Sequence, residues 1–169
     1  ICFHDFNLKK KFKTNKLVKD LTFKEINKVA KKFGYYIPQL KELIKISKNK
    51  NYLMLEIKPF FSKKNLIQLL NQTKKLKLFS ITSFNEKNIK NINLLKKKMN
   101  LGLCFASTTS IKKIIKKSKL KYVKIIVTEK KFLSSRKINL INKPIYYYTA
   151  KSKKIRKKYK EKNLIFENL

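Results

Sequence analysis

The sequence predicts an α/β fold built on parallel strands, of the (β/α) TIM-type barrel class. Short, largely apolar runs rich in β-branched and aromatic residues alternate along the chain with segments of helical period. Short links between them favour parallel strands joined by right-handed crossovers. Seven runs are strand candidates, which suits a barrel with pieces missing at the front, because a complete barrel takes about 250 residues and this chain has 169. We therefore expect a single, truncated barrel domain over residues 1–169.

The strand candidates share the composition of strands that are buried on both faces. They are Ile1–Phe3, Tyr52–Ile57, Leu78–Ser83, Asn100–Phe105, Tyr122–Val127, Pro144–Thr149 and Asn163–Glu167. Functional groups of such a barrel lie at the carboxyl ends of its strands. His4, Glu56 and Phe84 each stand at the end of one of these candidates, so we expect them at one rim.

Helix signals fall between the strand candidates. Asp20 is placed to cap a helix with Thr22 and Glu25 in its first turns. Pro38 suits the first position of the next helix, just before Leu40. Later helices are indicated by Asn85 with Glu86, by the spacing of Ile111, Ile114 and Ile115, and by the lysine-coated residues 151–161.

The chain is strongly basic, with 45 Lys and Arg against nine Asp and Glu and a formal net charge of +36. This charge suggests a nucleic-acid partner. However, 43 of the basic residues are Lys and only two are Arg, whereas nucleic-acid binders favour the planar fork of Arg. Residues with GC-rich codons are scarce throughout, so we attribute the charge to genome composition. We expect no specific nucleic-acid partner.

Other classes are excluded by composition. Hydrophobic residues make up 43% of the chain and aromatic residues 12%, which argues against a disordered tail. No run approaches the ~18 apolar residues of a membrane span, so no transmembrane segment is expected. One His and no Cys-x-x-Cys pair exclude a zinc-type cluster, and Cys2 and Cys104 are expected to be buried thiols.

Four short strings in the first third of the chain occur in a recognisable order. They are His4-Asp5, Val18–Thr22, Ile37–Leu40 and Leu55–Lys58. The last string ends an apolar run with a carboxylate and an ammonium two residues apart. Because residues i and i+2 of a strand point to one face, Glu56 and Lys58 would project together. A hard cation and a phosphate could be bound side by side there; the alternative is a plain ion pair.

The ordered strings resemble the motifs of the glycerophosphodiester phosphodiesterase family. That family reads His-Asp, then Val-x-Asp-Leu-Thr, Ile-Pro-x-Leu and Ile-Glu-Ile-Lys. Later segments extend the likeness over the whole chain: Ser83-Phe84 resembles its Ser-Phe, Tyr147–Thr149 its Val-Trp-Thr, and Leu164–Glu167 its closing Ile-Ile-Thr-Asp.

The resemblance implies roles for five residues. His4 would be one of two acid–base histidines and would protonate the leaving alkoxide. Glu56 would be a ligand of Mg²⁺ or Ca²⁺, and Lys58 would stabilise the charge on the phosphoryl oxygens. Phe84 and Tyr148 would line the glycerol pocket.

Structural alternatives stay open for these residues. His4 could be a structural histidine hydrogen-bonded near Asp5, which could equally orient it for catalysis. Phe84 could belong to the core, and Tyr148 is equally ambiguous.

The sequence also departs from the family pattern. Lys10-Lys11-Phe12 stands where the family has Arg-Thr-Thr. Before His4, the family has a His-Arg strand, a Glu-Asn-Thr turn and a Glu-x-Asp strand, and none of these is present. We therefore expect a barrel that lacks its first strand–helix unit and its second strand, either because the numbering starts inside a longer protein or because the protein is a degenerate member of the family.

The function implied by the resemblance is metal-dependent hydrolysis of a small-molecule glycerophosphodiester to glycerol 3-phosphate and an alcohol. This fragment alone is expected to be inactive. One alternative is a catalytically inactive barrel that binds a phosphate ligand or a protein, and a second is a basic nucleic-acid-binding domain. The compartment stays open, with the cytoplasm favoured and an export signal conceivable ahead of residue 1.

Overall fold

The computed structural model describes residues 1–167, which divide into two compact units. The first unit comprises Ile1–Asn51 and Leu69–Leu78, and the second comprises Tyr52–Gln68 and the chain from Phe79 onward. The predicted domain of residues 1–169 ends on two residues that lie outside the described part, and its single-domain character stays a prediction.

The first unit is largely helical, and side-chain caps fix where its helices begin. It contains α1 (Lys9–Phe12), the 3₁₀ turn Val18–Asp20, α2 (Phe23–Lys31) and α3 (Leu40–Ser47). At the start of α2, the Thr22 hydroxyl accepts the Glu25 N–H at 3.3 Å, and the Glu25 carboxylate accepts the Thr22 N–H at 2.7 Å. This reciprocal capping box makes Thr22 the cap. The prediction that Asp20 caps this helix is therefore wrong.

The start of α3 also differs slightly from the prediction. Gln39 is its N-cap, and its backbone N–H donates to the Glu42 carboxylate at 2.7 Å. Pro38 consequently lies one residue before the cap rather than at the first helical position. A proline suits this place too, because it has no N–H to satisfy.

A small apolar core holds the first unit together. Its buried members are Leu8, Phe12, Ile26, Ala30 and Ile37. The Phe3 ring stacks on the Phe12 ring at a centroid distance of 6.0 Å. Burial of these side chains supplies the free energy that keeps such short helices formed, since isolated helices of this length are marginal in water.

The second unit is a six-stranded parallel sheet whose spatial order follows the chain. Its strands are β1 (Leu53–Ile57), β2 (Phe79–Ser83), β3 (Leu101–Phe105), β4 (Ile125–Glu129), β5 (Ile145–Ala150) and β6 (Asn163–Phe166). The α-helices that follow β1, β2, β3 and β5 are α4 (Lys63–Thr73), α5 (Glu86–Leu95), α6 (Ile111–Ser118) and α7 (Lys153–Lys158). Two 3₁₀ segments, Lys130–Ser134 and Arg136–Leu140, join β4 to β5. Sequential order without a reversal is the arrangement of a barrel rather than of a doubly wound sheet.

The sheet curls so that its two edge strands contribute to one inner core. Cys104, Ile125 and Val127 are buried on the concave face, and Met54 from β1 and Ile165 from β6 pack against the same cluster. The opposite face is covered by helices: α5 packs against both β2 and β3. The six strands thus form a partial (β/α) barrel, with the inner face built from alternate residues of each strand.

Two strand predictions need correction. Ile1–Phe3 is not a strand; the Cys2 N–H donates to the Pro38 carbonyl at 2.8 Å instead of to a sheet neighbour. The strand predicted at Tyr122–Val127 begins three residues later, at Ile125, because the Val123 N–H closes a turn onto the Leu120 carbonyl. The expectation of a buried thiol is confirmed for Cys104, whereas Cys2 is only half-buried. Within residues 1–167, no helix has the length and apolar character needed to cross a bilayer.

Candidate active site

The sheet places Glu56 and Lys58 together at the carboxyl end of β1. Glu56 lies within the strand, paired in register with Thr82, and Lys58 follows directly after the last strand residue. The Lys58 Nζ lies 3.0 Å from the Glu56 Oε1, and the two side chains are 21% and 29% exposed. This partial shielding makes their charges interact more strongly with a bound anion or cation than fully solvated charges would.

Two aromatic side chains, Phe84 after β2 and Tyr148 in β5, contact each other, and the charge of Glu56 acts on Tyr148. The rings of Phe84 and Tyr148 meet edge to face, with centroids 6.1 Å apart and an interplanar angle of 81°. Phe84 is 44% exposed, so this ring is a rim residue rather than part of the core. The Tyr148 hydroxyl donates to the Phe105 carbonyl at 2.9 Å. Burial, followed by the negative charges of nearby acidic groups, raises the pKa of Tyr148 to about 12.

A buried thiol lies beneath the pair. Burial is the largest cause that raises the pKa of Cys104 to about 12, and the charge of Glu56 raises it further. A hydrogen bond with Thr82 and the charge of Lys58 act in the opposite direction. The thiol is therefore protonated at neutral pH. Gly102 lets β2 and β3 pack closely here, since an added Cβ would stand 2.9 Å from the Thr82 Cγ2.

One acidic residue of this rim escaped the sequence analysis. Glu129 ends β4 and pairs in register with Tyr148. Its Oε2 accepts the Lys131 N–H at 2.8 Å, and its charge contributes to the raised pKa of Tyr148. The signal that could have found it is the one that found Glu56, a carboxylate at the end of an apolar run.

Comparison with known proteins gives the family. The sequence model of the glycerophosphoryl diester phosphodiesterase family matches residues 1–165. The chain belongs to this family. No curated protein sequence matches the chain.

Solved structures that match the chain include members of the same family. A phosphodiesterase of Oleispira antarctica, solved in complex with the product sn-glycerol-3-phosphate, has a TM-score of 0.80 at 17% identity, over 97% of this chain and 73% of that one. Glycerophosphodiester phosphodiesterases of Agrobacterium tumefaciens and Parabacteroides distasonis each have a TM-score of 0.70, at 14% and 15% identity. These matches cover 99% and 97% of this chain and 76% and 72% of the relatives. The predicted α/β class with a partial TIM-type barrel is thereby confirmed.

Four of the five residues predicted for the phosphodiesterase site lie in the second unit. Glu56 with Lys58 and Phe84 with Tyr148 form the two pairs described above. His4 lies in the first unit, where its Nδ1 is 2.7 Å from the Asp5 Oδ1 and its side chain is 79% exposed. The expected convergence of His4 with Glu56 stays a prediction.

The described residues do not by themselves fit a divalent cation. Within residues 1–167, no group of three or more His, Cys, Asp or Glu side chains is arranged to hold a metal. Mg²⁺ and Ca²⁺ take six or more oxygen ligands, of which one carboxylate supplies one or two. Glu56 can therefore be one ligand of such an ion but does not make its site.

Proposed function

We propose that this protein hydrolyses glycerophosphodiesters to glycerol 3-phosphate and an alcohol. The observation that carries the proposal is the partly shielded Glu56–Lys58 pair at the carboxyl end of a barrel strand. Active groups of (β/α) barrels lie at that end. Family membership supports the reaction class, and the Oleispira relative, solved with sn-glycerol-3-phosphate, supports the product.

Lys58 is the proposed phosphate-binding residue. Its ammonium is a compact positive charge with several hydrogen-bond donors, and it lies partly shielded from solvent. In the proposed reaction it contacts a non-bridging phosphoryl oxygen and stabilises the negative charge that develops there. Glu56 holds the ammonium in place in the absence of substrate.

The aromatic pair is the proposed binding surface for the glycerol moiety. The exposed Phe84 ring provides an apolar wall, and Tyr148 supports that ring edge to face. The hydrogen bond from the Tyr148 hydroxyl to Phe105 fixes the tyrosine, so the wall is preorganised before substrate binds.

His4 is the proposed general acid. An imidazolium can protonate the alkoxide that leaves when water attacks the phosphorus. The Asp5 carboxylate bound to Nδ1 holds the ring in one orientation. A divalent cation, Mg²⁺ or Ca²⁺, is the cofactor expected for the family, with Glu56 as one ligand. When bound, the cation would neutralise phosphate charge.

The first prediction is that Lys58→Met abolishes most of the activity of the full-length protein. Glycerol 3-phosphate release from a glycerophosphodiester would be measured with Mg²⁺ or Ca²⁺ present. Loss of one electrostatic contact to the transition state costs about 10²–10³ in kcat. The matched control is Lys64→Met, which changes an exposed lysine of α4 and should keep kcat/KM within about twofold.

Two outcomes would contradict the proposal. Equal activity of Lys58→Met and wild type would remove Lys58 from the mechanism. No turnover by the full-length wild-type protein, combined with binding of glycerol 3-phosphate that Lys58→Met weakens, would establish the phosphate-binding, inactive barrel instead.

A further inference from the structure

A fully buried asparagine on α5 holds the segment that follows β1. Asn88 has no exposed surface. Its Nδ2 donates to the Pro59 carbonyl at 2.8 Å, and its Oδ1 accepts the Phe61 N–H at 3.0 Å. The same Nδ2 donates to the Ser83 Oγ at 3.2 Å. Both polar atoms of this buried amide therefore have hydrogen-bond partners within the protein.

Ser83 extends the network to the other side of Lys58. Its hydroxyl donates to the Ile57 carbonyl at 2.7 Å and accepts the Asn85 N–H at 3.1 Å. The carbonyl just before Lys58 and the carbonyl just after it are thus both held by side chains of one buried cluster. We call Ser83 and Asn88, with the three backbone groups of Ile57, Pro59 and Phe61 that they bind, the Asn88 clamp.

The clamp holds the backbone just beyond the last residue pair between β1 and β2. The register of β1 with β2 ends at Ile57, which pairs with Ser83. Lys58 therefore lies one residue beyond the last strand pair, where a chain would otherwise be free to bend. A misplacement of about 1 Å at a reacting centre can cost about 10²-fold in rate, so the position of this backbone matters for the ammonium that it carries.

We propose that Asn88 and Ser83 are positioning residues that set the place of the Lys58 ammonium. The proposal rests on the proposed function, because the position of Lys58 affects turnover only if Lys58 binds the substrate phosphate. The chemistry is specific to an amide: the Phe61 N–H needs an acceptor, and the Pro59 carbonyl needs a donor. A carboxylate at position 88 would satisfy the first and repel the second.

The test is a double-mutant cycle in the full chain. Asn88→Asp should lower kcat/KM at least tenfold in the wild-type background and should have little further effect, under twofold, in a Lys58→Met background. A merely structural role would lower activity by the same factor in both backgrounds, and that result would overturn the proposal. Asn91→Asp, on the same helix but half-exposed, is the matched control and should change kcat/KM by less than twofold.

A second variant separates the proposed effect from a folding defect. A second readout tests the clamp even if the proposed function fails. Ser83→Ala removes one arm of the clamp with a smaller change of shape, and it should give the same pattern in the cycle. Amide hydrogen exchange at Phe61 needs no turnover: protection should fall at least tenfold in Asn88→Asp while protection at Ile81, in the centre of β2, is retained. If the full-length wild-type protein releases no product, the proposed function fails, and the exchange result still decides whether the clamp holds this segment. Unchanged protection at Phe61 would overturn the clamp itself.

Discussion

Two buried serines on β2 differ in whether their hydroxyl has a hydrogen-bond partner, and this difference should affect stability. Ser80 and Ser83 are both buried. The Ser83 hydroxyl joins the Asn88 clamp, whereas the Ser80 hydroxyl has no hydrogen-bond partner among residues 1–167. A buried hydroxyl without a partner costs free energy that a satisfied one recovers. The same substitution should therefore have opposite effects at the two positions.

The second prediction concerns this pair. Ser83→Ala should lower the free energy of unfolding by about 1–3 kcal/mol, because it leaves a buried carbonyl and amide without their partner. Ser80→Ala should leave the free energy unchanged or raise it by up to about 1 kcal/mol, since it removes only an unsatisfied group. Denaturant unfolding of both variants measures the difference. A loss at position 80 equal to that at position 83 would contradict this account.

At the scale of elements, α5 and α6 are joined by a charged contact. Glu86 opens α5, and its carboxylate lies 2.6 Å from the Lys117 Nζ of α6 and accepts the Tyr122 hydroxyl at 3.1 Å. Burial raises the pKa of Glu86, but the hydrogen bonds from Lys117 and Tyr122 and the charges of Lys117 and Lys113 outweigh it, so the net pKa is lowered. The contact therefore favours the ionised carboxylate in the folded state.

The third prediction is a pH dependence with a definite sign. A carboxyl whose pKa is lower in the folded than in the unfolded state stabilises the fold above its unfolded pKa. That stability is lost as the pH falls through the folded pKa. Wild type should be more stable than Glu86→Gln at pH 7 in low salt, and the difference should shrink toward pH 3.

The control for this prediction uses the partner residue. In a Lys117→Met background, Glu86→Gln should cost less at pH 7, because one of the two hydrogen-bond donors is already gone. A difference between wild type and Glu86→Gln that persists unchanged at pH 3 would show that lost packing, rather than the charge, is responsible.

Element positions were predictable where side chains carry the signal. The six observed strands follow from apolar runs, and Asn85 marks a helix start as small polar residues do. Ser110 caps α6 in the same way but was not singled out in the sequence. The cap of α2 was missed although Thr22 and Glu25 have capping-box spacing, because Asp20 is an equally good cap residue by type. Helix α4 was not singled out in the sequence. Tyr122 extended the apparent β4 strand because its ring is apolar, while its hydroxyl binds Glu86 outside the sheet.

The site was predictable only in part, for a similar reason. Glu56, Lys58 and Phe84 follow strands and carry distinctive side chains. Asn88 binds the Pro59 carbonyl and the Phe61 N–H. Backbone groups like these are not distinguished by residue type, so no sequence pattern points to them as its partners. Ile1–Phe3 failed as a strand because the Cys2 N–H donates to the Pro38 carbonyl, a contact that an apolar run in the sequence does not reveal.

At the scale of the whole molecule, self-repulsion of charge is the main unfavourable electrostatic effect. A net charge of +36 on 169 residues destabilises the compact state, and dissolved salt screens this repulsion over about 10 Å at 0.1 M. The few acidic residues form contacts such as Glu56–Lys58 and Glu86–Lys117, which salt screens less where they are shielded.

The fourth prediction is that salt stabilises the protein. The thermal unfolding midpoint should rise between 0.02 M and about 0.5 M NaCl, because screening of repulsion outweighs screening of the few ion pairs. Charge reversal at three exposed lysines of α7, at positions 153, 154 and 157, lowers the net charge from +36 by two per residue to +30. This variant should show a weaker salt dependence. A midpoint that falls with added salt would mean that attractive pairs dominate.

The buried position of Cys104 makes its thiol a natural probe of solvent access to the inner face of the partial barrel. A protonated thiol packed between strands reacts with an alkylating reagent only when the inner face becomes accessible to solvent. Its labelling rate therefore reports how often the inner face becomes exposed. Cys2, which is half-buried in the other unit, gives a reference labelling rate for the same molecule. The rate at which the inner face opens to solvent can thus be measured on the native sequence, without an introduced probe.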